Sequence, residues 1–113
     1  MAVYNFTRQN NDDCAQGSTF EREIVLRDEN NVIIPIAGYT GRMQIRTAPS
    51  STTIIATVSV SIASDIITLL LTAAETTDIP AWNYYYDLEL DNGLGEVQRI
   101  LEGRFEVTAE VTR

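Results

Sequence analysis

Histidine and lysine are absent from this sequence of 113 residues, and all eight of its basic residues are arginines. Histidine is the usual general base near neutral pH and the commonest metal ligand. The chain therefore lacks the side chain that most often serves in general base catalysis and in metal binding. The absence of lysine also excludes catalysis through a lysine Schiff base. We therefore expect neither enzymatic activity nor a bound metal or cofactor.

Cysteine is almost absent. Cys14 is the only one, so the chain cannot form an internal disulfide or a thiolate-rich metal site. Because no histidine is present to take its proton, we expect Cys14 to be a passive thiol. A domain of this length buries about two-thirds of its unfolded surface, so it is expected to fold without a disulfide or a metal.

Long apolar runs and excess positive charge are missing as well. No apolar run reaches the roughly 18 residues that a membrane helix requires, and the amino terminus lacks the regions of a signal peptide. The sequence has 16 acidic residues and a net charge of −8. Such a surface repels phosphate backbones and anionic lipid headgroups. We expect no nucleic acid partner and no membrane partner.

The first 17 residues differ in composition from the rest. Val3, Tyr4 and Phe6 alternate briefly, and a polar run follows from Gln9 to Asp13. Because that run cannot pack a core, we predict an N-terminal arm and linker over residues 1–17 that becomes ordered on a partner. Residues 18–113 are predicted to form one β-sandwich domain.

The segment over residues 82–107 has the pattern of a two-sided β-hairpin. From Tyr84 to Asp91, aromatic or apolar residues alternate with Tyr85 and acidic residues, which is the period of a half-buried strand. The following Asn-Gly-Leu-Gly sequence tolerates positive φ and predicts the turn. Gly103 predicts a bulge in the returning strand. We expect Trp82 in the core and Tyr85 on the outer side.

Five further segments predict strands, at residues 18–27, 32–36, 42–47, 53–62 and 66–71. Thr72 and Glu75 have the spacing of a helix capping box, which predicts one helical turn. Together these elements predict an all-β fold, an immunoglobulin-like antiparallel two-sheet β-sandwich of about seven strands with one short helical turn.

That architecture carries two further expectations. The hydroxyl of Tyr84 or Tyr86 is expected to bond across the corner that precedes its strand, as a tyrosine does in immunoglobulin-like domains. The 32–36 segment and the C-terminal strand are expected to be open sheet edges. A neighbouring chain can extend such an edge by strand addition.

Arginines on the predicted strand faces are candidate binding groups: Arg42, Arg46, Arg99 and Arg104. Arginine is enriched at protein interfaces and binds carboxylates bidentately. The alternative is that each arginine pairs with the chain's own acids on neighbouring strands, and the sequence leaves both possibilities open. The residues that we expect to form a protein interface are Tyr4, Phe6, Arg8, Arg42, Arg46 and Tyr85.

Asp87, Glu89 and Asp91 share one face of one predicted strand. Alternate residues of a strand lie about 7 Å apart, which is wide for a single ion, and calcium prefers ligands that converge from a loop. We therefore interpret these acids as a solvated strand face and not as a metal site.

Two long segments resemble a known family. GSTFEREIVLRDENNVIIPIAGYTGRMQIRT resembles the opening half, and WNYYYDLELDNGLGEVQRILEGRFEVTAEVTR the closing half, of small structural proteins of tailed bacteriophages. The chain is also weakly similar to the N-terminal domain of phage baseplate upper proteins. The resemblance extends over residues 16–113 and is weakest in the middle strands. The turn at Asp28 to Asn31 departs from it, because the glycine usual there is missing.

The resemblance implies a virion protein that joins the tail, baseplate or fibre by contacts with other phage structural proteins. It implies no catalytic residues. It also implies synthesis in the host cytoplasm and, because phage parts assemble in rings and trimers, a homo-oligomer in the virion. A capsid cement or decoration protein is the alternative within the same class. A carbohydrate-binding module that stacks sugars on Trp82 and Tyr85 is the alternative from another class.

Overall fold

A computed structural model describes residues 8–9 and 11–111 of the chain. Within these residues the structure has eight strands and one helix. The strands are β1 (Arg8–Gln9), β2 (Asp12–Ala15), β3 (Phe20–Val25), β4 (Thr40–Arg46), β5 (Ile54–Ala63), β6 (Ile66–Leu71), β7 (Trp82–Asp91) and β8 (Val97–Thr108), and the helix is α1 (Ala73–Thr77), between β6 and β7.

The strands form two sheets that share β5. The first sheet has the order β8, β7, β4 and the first half of β5, and the second has the second half of β5, then β6 and β3. Val58 pairs with Met43 of β4, and the next residue, Ser59, pairs with Leu70 of β6. All these pairs are antiparallel. The predicted all-β, immunoglobulin-like sandwich is therefore confirmed.

An aromatic cluster joins the two sheets at their centre. Phe20 of β3 and Phe105 of β8 pack edge to face, with ring centroids 5.0 Å apart. Tyr86 of β7 packs against Phe105 in the same manner at 6.1 Å. Phe20 and Phe105 are almost completely buried, so the cluster removes aromatic surface from both sheets and adds the favourable edge-to-face geometry.

The corner between β6 and β7 is built as the sequence predicts. The side chain of Thr72 accepts from the backbone N–H of Glu75, and the Glu75 carboxylate accepts from the backbone N–H of Thr72. After α1, the hydroxyl of Tyr84 donates to the carbonyl oxygen of Pro80 at 2.6 Å. Of the two tyrosines considered, Tyr84 makes the corner bond, and burial raises its pKa.

The segment expected to be a free linker is partly a sheet strand. β2 runs parallel to β8, with Asp12 opposite Phe105 and Ala15 opposite Thr108, and β1 continues the same pairing. Backbone hydrogen bonds hold this edge and need no apolar side chains, which explains why a polar run can occupy it. The C-terminal strand β8 is consequently covered by the chain's own N-terminal segment and is not an open edge.

The end of that segment is anchored to α1 through buried polar contacts. The Thr76 hydroxyl is fully buried, accepts from the backbone N–H of Gly17 and donates to the carbonyl oxygen of Ser18. The Gln16 amide donates to the carbonyl oxygen of Ile79 and accepts from the backbone N–H of Glu110. These contacts tie the entrance of β3 to both the helix and the end of β8.

Arg22 closes the gap between the sheets at the β3 edge. Its guanidinium lies 4.6 Å from the centroid of the Phe20 ring and bonds the Asp12 carboxylate of β2 at 3.0 Å. Its side chain is 43% exposed, which agrees with a position at the sheet edge.

Three local predictions are wrong. The bulge lies at Ile100 and not at Gly103, because Leu88 pairs with Leu101 while Glu89 pairs with Arg99. The extra residue allows Ile100 and Leu101, neighbours in sequence, both to be buried. Trp82 has the same parity as the buried Tyr84, but it is the first residue of β7 and is 66% exposed.

The third wrong prediction concerns residues 32–36, which form no strand in the structure. They contribute one isolated bridge, between Ile33 and Arg27. Ile36 is fully buried and donates its backbone N–H to the Asp65 carboxylate, so this segment packs as a loop and its backbone bonds a side chain.

The turn at Asp28 to Asn31, which contains no glycine, is made by two polar residues. Asn31 adopts a φ of 64°, a left-handed conformation that asparagine tolerates better than most residues. The Asp28 carboxylate accepts from the backbone N–H groups of Asn30 and Val32. The turn therefore forms without a glycine.

Replacing Tyr84 with phenylalanine tests the corner bond. The change leaves the carbonyl oxygen of Pro80 without its hydroxyl donor, so we expect the free energy of unfolding to fall by about 1 kcal/mol in urea denaturation. Tyr85→Phe is the matched control, because Tyr85 lies next in sequence and points to the opposite side of the sheet. An equal loss in both variants would contradict a specific role for the Tyr84 hydroxyl.

Candidate protein-interaction face

The outer side of β4, β7 and β8 carries a continuous polar surface. Since Met43, Ile45, Tyr84, Tyr86 and Phe105 point into the core, their sequence neighbours point outward. We call this surface the polar face; its residues are Arg42, Gln44, Arg46, Tyr85, Asp87, Glu89, Arg99, Glu102 and Arg104, which line one shallow depression with Asn11 and residues 49, 51 and 52.

At one end of the polar face the arginines pair with the chain's own acids. Arg42 of β4 bonds Glu89 of β7 at 2.8 Å. Arg99 of β8 lies 3.2 Å from the Asp87 carboxylate and 3.4 Å from that of Glu102. For Arg42 and Arg99, cross-strand pairing is the alternative that the structure selects, and exposed pairs of this kind stabilise a sheet only modestly.

At the other end the arginines have neutral partners. Arg46 donates to the carbonyl oxygen of Ser51 and to the side-chain oxygen of Gln44, both at 2.8 Å. The Arg104 guanidinium lies 5.9 Å from the centroid of the Tyr85 ring. Among the described residues, the ion pairs include neither Arg46 nor Arg104.

Strand register places Arg46, Tyr85 and Arg104 in one row across the sheet. Tyr85 pairs with Arg46 across β4 and β7, and with Arg104 across β7 and β8. Tyr85 thus has an arginine residue opposite it on each neighbouring strand. Tyr85 is half-buried and faces outward as predicted.

The interface residues expected from sequence are only partly brought together. Arg42, Arg46 and Tyr85 share the polar face. Tyr4, Phe6 and the side chain of Arg8 lie outside the described residues, while the backbone of Arg8 pairs with Leu101 in β1. Arg104 completes the row, and alternation along β8 indicates its outward direction, but only the cross-strand register identifies its neighbour.

Asp87 is an acid of the polar face whose pKa is raised. Partial burial raises its pKa, the neighbouring Glu89 raises it further, and Arg99 opposes both. Burial disfavours the charged carboxylate, and the nearby Arg99 and Arg42 do not offset that cost. Asp87, Glu89 and Asp91 alternate along β7 as expected, and the described residues contain no cluster of three or more acids or cysteines arranged for a metal ion.

Cys14 lies in β2 and packs partly against the core. Burial and the nearby Asp13 raise the pKa of its thiol, and Arg22 lowers it by less. A raised pKa reduces the thiolate fraction at neutral pH, which agrees with the interpretation of Cys14 as a passive thiol.

No protein-family model and no curated protein matches the chain. Among solved structures, the chain is similar to a crystal structure of titin M10 in complex with an obscurin-like 1 immunoglobulin domain, at 15% identity and a TM-score of 0.49, over 97% of this chain and 95% of that chain. It is also similar to the M1 domain of titin, at 9% identity and a TM-score of 0.44, over 94% of each chain.

The structure defines the class of the protein, an immunoglobulin-like β-sandwich with a polar, arginine-containing outer sheet surface. In the part of the chain that the structure describes, no helix has the length and apolar character needed to cross a membrane.

Replacing Asp87 with asparagine tests the cost of burying its charge. The raised pKa means that the folded protein binds the proton more tightly than the unfolded chain, so the charged form of Asp87 destabilises the fold at neutral pH. We expect Asp87→Asn to increase the free energy of unfolding at neutral pH, and the increase to shrink as the pH falls through the raised pKa.

Urea denaturation over a series of pH values measures this difference. Glu106→Gln serves as the control, because it removes one negative charge from an exposed position on β8, on the side of the sheet that also carries Asp87. A gain for Asp87→Asn that is constant with pH, or that grows on acidification, would contradict the assignment.

Proposed function

We propose that this chain is a structural protein of a tailed bacteriophage virion, which joins the tail, baseplate or fibre through protein–protein contacts. The observation that carries the proposal is the resemblance over residues 16–113, in which the order of strands and turns agrees as well as the local sequence. The proposed role is assembly without catalysis, in a particle made in the host cytoplasm.

The geometry supports contact through a rigid sheet surface. The polar face lies on three paired strands whose opposite side is the core, so the backbone positions of its residues are fixed relative to one another. Tyrosine and arginine, which meet at Tyr85, are residues that dominate binding energy at protein interfaces. A surface of this kind suits repeated docking in a particle better than a flexible loop does.

A sheet edge supplies a second means of assembly. Among the described strands, β3 pairs only with β6. The Arg22 contact with Asp12 lies at its other edge, and a strand added by a neighbouring subunit would bond the remaining backbone groups there. We propose that copies of the chain associate within the virion. Sedimentation of the purified chain at micromolar concentration distinguishes association in solution from association in the particle. If the chain is a monomer under these conditions, its copies associate only within the virion.

Fractionation of particles tests the proposal directly. Heads and tails from the phage that encodes the chain are separated, and tryptic peptides of this sequence are quantified by mass spectrometry in each fraction. We expect the peptides in the tail fraction. Their presence in expanded heads alone would favour a cement or decoration protein, and their absence from intact particles would overturn the proposal.

A carbohydrate-binding role is the second candidate, and the exposure of Trp82 favours it. Its indole is 66% exposed at the start of β7, and exposed aromatic rings stack on sugars. Tyr85, the other aromatic expected to contribute, lies between arginines on the polar face. A glycan array without signal for the purified chain would remove this candidate.

A further inference from the structure

The two ends of the polar face differ in electrostatic state. Arg42 and Arg99 are neutralised by carboxylates of neighbouring strands at 2.8 Å and 3.2 Å. Arg46 and Arg104 have neutral oxygen acceptors and an aromatic ring as neighbours. A chain with a net charge of −8 thus has two positive charges, on either side of Tyr85, that no carboxylate of the described residues pairs with.

The row of Arg46, Tyr85 and Arg104 is arranged for a ligand. The three residues pair directly across β4, β7 and β8, so the outer two lie roughly 10 Å apart, which is twice the spacing between strands. Tyr85 contributes a flat ring between them. We call this set the arginine row.

Arg46 is held in place before any ligand arrives. Its two terminal nitrogens donate to Ser51 and Gln44, whose acceptors carry no charge. These bonds orient the guanidinium without cancelling its charge, and they use two of its five donors. The backbone of Arg104 is held in place, because its N–H donates to the Asn11 side chain at 3.0 Å. Its guanidinium lies by the Tyr85 ring.

The carboxylates nearest the arginine row are engaged or offset along the strands. Asp87 and Glu102 lie two residues away on β7 and β8 and bond Arg99. Glu106 lies two residues beyond Arg104, opposite Asn83 of β7 and Asp13 of β2. None of them forms an ion pair with the arginine row among the described residues.

We propose that the arginine row binds two carboxylates of an acidic, extended segment of a partner protein; the inference rests on the proposed function and gives the chemistry of its contact. Charge complementarity selects this occupant, because guanidinium groups bind carboxylates bidentately. Alternate side chains of an extended segment lie about 7 Å apart, and two glutamates at that spacing reach guanidinium groups on both sides of Tyr85. The segment crosses the strands over the tyrosine ring.

The test uses the full chain and a defined probe. A blocked peptide, Gly-Glu-Ser-Glu-Gly, is titrated into the isotope-labelled protein, and the backbone amides and arginine side-chain signals are followed by NMR. We expect the shifts to concentrate at Arg46, Tyr85 and Arg104. The same peptide with glutamine in place of glutamate is expected to cause none of them.

Single substitutions then assign the contact. Arg46→Gln and Arg104→Gln are each expected to weaken peptide binding by about tenfold, the cost of one charge-assisted contact. Arg27→Gln is the matched control and is expected to change binding by less than about twofold, because Arg27 lies outside the polar face and donates to the carbonyl oxygen of Asn31. Thermal unfolding of each variant confirms that it is folded.

The inference would be overturned by equal losses for all three variants, by shifts centred elsewhere, by saturation of the same signals by inorganic phosphate, or by a dimer of the chain that Arg46→Gln abolishes. Phosphate saturation would indicate a general anion site, and the dimer would assign the row to a second copy. Failure of the peptide to bind a chain that is nevertheless found in virion tails would refute this inference and leave the proposed function standing.

Discussion

The contact between Phe20 and Phe105, extended by Tyr86, is the interaction on which the rest of the structure depends. It is the place where β3 of one sheet meets β7 and β8 of the other. Antibody domains join their sheets there with a disulfide, whose second cysteine lies two residues after the corner tyrosine. Tyr86 stands two residues after Tyr84, at the spacing of that second cysteine, and in this chain it packs against Phe105.

The cluster also determines what the protein presents to its surroundings. Fixing Tyr86 and Phe105 inward fixes Tyr85 and Arg104 outward, since successive residues of a strand point to opposite sides. The corner bond of Tyr84 to Pro80 sets where β7 begins, and the ladder to β4 then brings Arg46 beside Tyr85. The surface proposed for assembly is therefore a consequence of how the core is packed.

Features with a local cause could be predicted from the sequence. The alternation along β7, the capping box at Thr72 and the corner tyrosine each depend on residues close in the chain, and each is confirmed. The bulge at Ile100 could not be predicted, because it is a property of the register between two strands. The parallel pairing of β2 with β8 could not be predicted from the side chains, because the hydrogen bonds of that pairing are made by backbone groups. The same limit applies to the polar face, where alternation indicated the outward direction of Arg42, Arg46 and Tyr85 but not their partners.

The free energy of unfolding of Phe105→Ala tests the central claim most directly. If aromatic packing joins the sheets, removing this fully buried ring lowers that free energy by about 3–5 kcal/mol or prevents folding, as for other buried phenylalanines. Trp82→Ala is the matched control, because it removes a larger aromatic ring from the exposed start of β7, and it is expected to change stability by less than about 0.5 kcal/mol. A loss below about 1 kcal/mol for Phe105→Ala would contradict the account.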